Sequence, residues 1–129
     1  MLIAVDDSVG SLEAARVGAQ LAAHWGAVVR VIHAIPDGAI AESAQGLLDH
    51  VVGEVRASGI PGERVDAVLR KGEPFRCILD EVRVWNAGLI VMAISDRRGL
   101  RSDYIGSATE HVLEFTECPV LVVPARTKP

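Results

Sequence analysis

A chain of 129 residues, 50% hydrophobic and 23% charged, is long enough to bury about two-thirds of its unfolded surface as one domain over residues 1–129 without disulfide support. Its formal net charge of −4 and its 4% aromatic content argue against a nucleic-acid binder, which needs a basic stripe or a base-stacking platform. Cys77 and Cys118 are too few for a secreted disulfide framework, no apolar run approaches the ~20 residues of a membrane span, and Met1 leads directly into a strand-like stretch; a cytoplasmic protein away from membranes is expected.

The predicted elements alternate. LIAVD at 2–6 is a short β-branched run, and Leu12, Ala15, Ala19 and Ala22 then recur at helical spacing over 12–22, with Gly26 as a left-handed stop. VVRVIHA at 28–34 predicts the second strand. A helix over 41–58 follows, with Leu47, Leu48, Val51, Val52 and Val55 inward, and Pro61-Gly62 makes the next turn. VDAVL at 65–69 predicts the third strand, and Pro74 suits the first turn of a helix over 74–85 whose inward stripe is Ile78, Leu79 and Val82. GLIVMAI at 88–94 predicts the fourth strand. A polar, Arg-rich segment at 95–105 precedes a helix over 107–116 that buries Val112 and Phe115, and PVLVV at 119–123 closes the chain's fifth strand. Five strands with helical crossovers imply an α/β fold, a doubly wound parallel sheet with helices on both faces.

In such a sheet, ligands bind beyond the carboxyl ends of the strands where strand order reverses. That rule selects Asp6-Asp7-Ser8, Ala34, Met92 to Asp96, and Gly106-Ser107. Gly106-Ser107-Ala108-Thr109 at a helix start would direct free N–H groups at an anion. Ser107 and Glu110 also have capping-box spacing, which satisfies some of those groups with no ligand present. Asp6 has two readings as well, a polar contact for a ligand or an acid accepting N–H bonds from its own turn.

Taken in order, IAVDDS at 3–8, SLEAARVGAQLA at 11–22, VIHA at 31–34, KGEP at 71–74, LIVMA at 89–93, GS at 106–107 and CPVLVVP at 118–124 resemble the universal stress protein family across nearly the whole chain. The resemblance implies a Rossmann-like sheet in the order 3-2-1-4-5, a homodimer paired through the C-terminal edge strand, and a role in bacterial stress survival. It also implies that Val5, Asp6, Ala34 and Met92 approach a nucleotide. One branch of the family binds ATP through a pattern G-x-x-G, nine residues, G-[ST], which falls here on positions 93, 96, 106 and 107. Gly106 and Ser107 are retained, whereas Ala93 and Asp96 stand where the pattern has glycine.

These departures matter unequally. Ala93 adds one methyl, tolerable where φ is negative, while Asp96 adds a carboxylate where polyphosphate would lie; at ~4 Å each such like-charge contact costs about 1 kcal/mol even in water. Asp7 is expected to bring a second carboxylate to the same crevice. Arg97, Arg98 and Arg101 would oppose Asp96 by forking onto phosphate oxygens, although their pairing with Asp96 and Asp103 in a solvated loop is the simpler expectation. A divalent cation on Asp96 or Asp6 would invert the argument by joining carboxylate to phosphate. The expected function is therefore a dimeric stress-response module with a degenerate site and weak or no ATP binding, set against an ATP- or adenine-nucleotide-binding regulator with at most slow ATPase activity.

Catalytic alternatives find little support. His33 and His111 are expected to be packed or solvent-facing, no G-x-S-x-G elbow accompanies Ser107, and no Cys/His spacing suits zinc. A phosphoacceptor receiver domain shares the scaffold and an acidic pair. It needs an Asp at the end of its third strand, where this chain has Leu69-Arg70-Lys71, and a Lys-Pro before its last helix, where this chain has Lys128-Pro129 after its last strand.

Overall fold

The computed structural model describes residues 1–94 and 107–124, apart from the side chains of Val9 and Ser107. In chain order the elements are β1 (Leu2–Val5), α1 (Val9–Trp25), β2 (Val29–Ile35), α2 (Ala41–Ala57), a 3-10 turn (Gly62–Arg64), β3 (Val65–Lys71), α3 (Pro74–Trp85), β4 (Ile90–Ala93), α4 (Ser107–Phe115) and β5 (Val120–Val123). Local chemistry sets the boundaries. Ser8 caps α1 by accepting the Ser11 N–H, and Gly26 ends it in a left-handed turn at φ 68°. Pro74 occupies the first turn of α3, where its missing N–H goes unused, and Asn86 ends that helix at φ 59°. Gly72, at φ 137°, makes the tight turn between β3 and α3, and its N–H donates to the Ile35 carbonyl across the strand ends.

All five strands are parallel, in the order β3-β2-β1-β4-β5. This is the 3-2-1-4-5 order expected from the resemblance. It differs from the 2-1-3-4-5 order of receiver-type sheets, which removes the receiver reading. The α1 and α2 helices pack on one face and α3 and α4 on the other, so the central strands β1 and β4 are covered twice and read as near-continuous apolar runs, whereas the edge strand β3 carries the exposed Asp66. On the α1/α2 face Ile3, Val29, Val31, Val51, Val55 and Val91 are fully enclosed. The other face closes on Leu2, Ile32, Ile78, Ile90 and Val112.

Leu47, expected inward on α2, is only half-buried, and further side chains depart from the expected core. Phe115, the last residue of α4, is 55% exposed. Leu79 is half-buried, and Glu81 takes the enclosed position in α3 at 3% exposure. A carboxylate there is stable because two arginines meet it. Arg30 of β2 donates to Glu81 Oε2 at 2.7 Å and Arg70 of β3 to Oε1 at 2.8 Å. Arg30 also forks onto Asp66 at 2.9 Å through both contacts and lies 5.0 Å from the centre of the Trp85 ring.

Candidate functional site

The carboxyl end of β1 runs into a turn held by three side chains. The Asp6 N–H donates to Ser11 Oγ at 2.7 Å, the Ser11 hydroxyl donates to Asp6 Oδ1 at 2.8 Å, and the Ser8 N–H donates to the same oxygen at 2.8 Å. Ser11 is 4% exposed, so this closed ring of bonds fixes the direction in which Asp6 leaves the sheet. The reading of Asp6 as an acceptor for its own turn is therefore correct, and Asp6 lines the crevice as well.

Burial raises the Asp6 carboxyl pKa, but the hydrogen bonds from Ser8 and Ser11, with His33 nearby, outweigh it and hold the group below the usual carboxylate range. A lowered folded pKa contributes stability that is complete above the unfolded value of about 3.9 and is lost as pH falls through the folded value. The gap in unfolding free energy between the native chain and Asp6→Asn, followed by urea denaturation, is thus expected to be constant above about pH 5 and to shrink below about pH 4. A gap independent of pH would mean that the charge of Asp6 does not organise the turn.

A crevice of about 200 Å³ opens where strand order reverses between β1 and β4. Of the residues singled out from the sequence, it brings together Val5, Asp6, Ala34, Met92, Ala93 and Ala108. Ala4, Ile32, Ile78 and Met92 line it with apolar surface, and Ser8, Ser11 and Thr109 add hydroxyl-bearing side chains, those of Ser11 and Thr109 being buried. The Thr109 hydroxyl donates to the Ala93 carbonyl at 3.1 Å, tying the start of α4 to the end of β4. Asp96 and Gly106 lie outside the described residues, as do Arg97, Arg98, Arg101 and Asp103, and Ser107 is described only in its backbone, as the first residue of α4.

Asn86 is the one non-glycine residue with positive φ among those described. Ala93 therefore has negative φ, and alanine is accommodated there without strain. Sequence reasoning missed Ser11, Pro74 and Ile78 as lining residues, whereas Thr109, at the helix start expected to face an anion, does line the crevice. Ser11 had a readable signal in its three-residue spacing from Ser8, and Pro74 in its place just after the third strand.

Asp7 is a correction. It does not line the crevice expected for phosphate but a second pocket on the α1/α2 side, together with His33, while Asp6 and Ala34 border both spaces. His33 is 8% exposed and its Nδ1 lies 2.9 Å from the Val5 carbonyl oxygen. A carbonyl only accepts, so Nδ1 carries the proton. His111 stacks on Phe75, ring centres 4.5 Å apart. Cys77 is buried and Cys118 half-buried, and burial raises the Cys77 thiol pKa, which opposes redox reactivity. Among the described residues no group of three or more His, Cys, Asp or Glu side chains is placed to hold a metal ion, and no helix is long and apolar enough to cross a membrane.

Comparison with known proteins bears directly on this site. The model of the Universal stress protein family matches residues 1–124. The chain is 33% identical over 135 residues to a Thermus aquaticus protein, the universal stress protein in the QAH/OAS sulfhydrylase 3′ region, covering 95% of this chain and 96% of that one. It is 24% identical over 143 residues to the universal stress protein YxiE of Bacillus subtilis, at 95% and 97% coverage. Among solved structures, the universal stress protein from Archaeoglobus fulgidus in complex with dAMP superposes with a TM-score of 0.78 at 25% identity, covering 95% of this chain and 94% of that one.

Proposed function

Because the chain belongs to the universal stress protein family, we propose that it is a cytoplasmic, homodimeric stress-response module whose crevice takes the nucleoside part of an adenine mononucleotide and holds ATP weakly or not at all. The observation carrying this reading is the make-up of the described crevice wall, an apolar surface with hydroxyls and the single carboxylate Asp6, and neither Lys nor Arg. A planar base gains from apolar walls, whereas three phosphates need cations or many directed N–H groups. The volume of about 200 Å³ is below the roughly 300–1,000 Å³ typical of sites that enclose drug-sized ligands. A relative solved with dAMP, a ligand with one phosphate, supports the same choice.

Val5, Asp6, Ala34 and Met92 would surround the base and ribose, while Ala93, Ala108, Gly106 and Ser107 would approach the phosphate. Asp96 would repel any phosphate beyond the first. No catalytic residue is assigned, and no divalent cation is required. Mass spectrometry of gently denatured protein is expected to release no stoichiometric ATP or ADP. Stoichiometric ATP would replace this reading with that of an ATP-binding regulator.

Dimerisation follows from β5. Among the described residues this strand pairs with β4 alone, and Val120, Leu121 and Val122 remain half-buried on an open edge that natural sheets pair or cover. Light scattering at micromolar concentration is expected to give twice the 13.7 kDa chain mass, and Val122→Lys to shift it towards one chain. A native monomer would contradict pairing through this strand.

A further inference from the structure

The peptide that leads out of β1 joins Val5 to Asp6, and both residues line the crevice. In a trans peptide the carbonyl and the N–H point in opposite directions, so bonding each to a separate element fixes the peptide plane. Here side chains make both bonds. The Val5 carbonyl accepts from His33 Nδ1 of β2 at 2.9 Å, and the Asp6 N–H donates to Ser11 Oγ of α1 at 2.7 Å.

Both partners are themselves held. Ser11 is buried and donates its hydroxyl hydrogen to Asp6 Oδ1 at 2.8 Å. His33 is buried as well and stands opposite Val5 in the β1–β2 register. Its ring lines the second pocket, on the α1/α2 side, and is not among the described residues that line the crevice. On the same face of β2, Val29, Val31 and Ile35 are buried aliphatic residues. Packing alone would be met by another such side chain, and what the imidazole adds there is its N–H.

We propose that His33 is a positioning residue of the crevice. From the far side of the sheet it fixes, together with Ser11, the plane of the Val5–Asp6 peptide, and so sets the affinity for the adenine mononucleotide, provided that the crevice takes one as proposed above. Without that donor the peptide is free to rotate, which turns the Val5 carbonyl and the exit direction of Asp6 away from the geometry the ligand meets.

The test compares His33→Leu with His33→Asn. The two remove the same ring volume and the same titratable group, and only asparagine keeps an N–H donor close to the Nδ1 position. Calorimetric titration of AMP into the full chain is expected to show binding about tenfold weaker for leucine and within about twofold of native for asparagine. Amide hydrogen exchange without nucleotide, followed by NMR, is expected to quicken at Asp6 in the leucine variant alone, with Ile3 as the reference. Native AMP affinity in His33→Leu, or an equal loss in His33→Asn, would overturn the assignment. A native chain that does not bind AMP would overturn the nucleotide reading by itself, whereas unchanged Asp6 exchange in His33→Leu would overturn the peptide clamp by itself. Two-bond ¹H–¹⁵N spectra of the native chain at mildly alkaline pH need no variant and are expected to place the ring proton on Nδ1; a proton on Nε2 would overturn the clamp as well.

Discussion

Replacing Glu81 with alanine is expected to lower the unfolding free energy by about 3 kcal/mol, at the lower end of the range for breaking a buried ion pair, measured by urea denaturation at neutral pH. The carboxylate is 3% exposed and receives Arg30 at 2.7 Å and Arg70 at 2.8 Å. Removing it leaves two guanidinium groups beside an apolar helix face. The expected loss stays at the lower end because the Arg30 and Arg70 side chains are 24% and 33% exposed, and because Arg30 retains Asp66. Glu81→Gln, which keeps an acceptor but loses the charge, is expected to lose less than alanine does. A loss below about 1 kcal/mol for alanine would reduce the cluster to the standing of surface ion pairs.

Ile3→Ala is expected to cost about 3–4 kcal/mol, since Ile3 is fully enclosed at the centre of the sheet and deletion leaves a cavity that its neighbours cannot fill. The helix above it cannot settle freely into that space, because α1 already approaches through a glycine. A Cβ added at Gly18 would lie 3.0 Å from Ile3 Cδ1 and 3.4 Å from Val91 Cγ1. Gly18→Ala is therefore expected to destabilise the native chain despite alanine's better helix propensity. In the Ile3→Val background, which lacks the Cδ1 methyl, it is expected to destabilise less. Additive effects would show that the close approach of α1 to β1 does not depend on this contact.

The architecture was legible because central parallel strands covered on both faces must be largely apolar, and five β-branched runs separated by helix-length segments leave few alternatives. The end signals were equally physical, with Gly26 as a left-handed stop and Pro74 in a first turn matching the observed boundaries. The misplaced residues fall where periodicity is silent about what lies opposite. Leu79 is half-buried while Glu81, on which the sequence was silent, is enclosed because two arginines from β2 and β3 meet the acid, a contact across 51 residues in the case of Arg30. Phe115 has the spacing of a core residue but ends its helix, and it is exposed. Asp7 was sent to the wrong space because adjacent residues leaving a strand diverge, so that Asp6 borders both pockets and Asp7 only the second. The crevice was legible in part, since strand ends at the switch point can be named from sequence, whereas Ser11 reaches it through a hydrogen bond that only the fold creates.

Ala93 fits its place without strain, and the proposed reading rests on Asp96, which lies outside the described residues, as the obstacle to a polyphosphate. Calorimetric titration of AMP and ATP into the native chain and into Asp96→Gly tests that assignment most directly. The account predicts that the native chain binds AMP at least as tightly as ATP. It further predicts that the substitution raises ATP affinity by about tenfold or more, equivalent to ~1.4 kcal/mol, with AMP affinity nearly unchanged. Tighter binding of ATP than of AMP by the native chain, or no gain from removing the carboxylate, would contradict it.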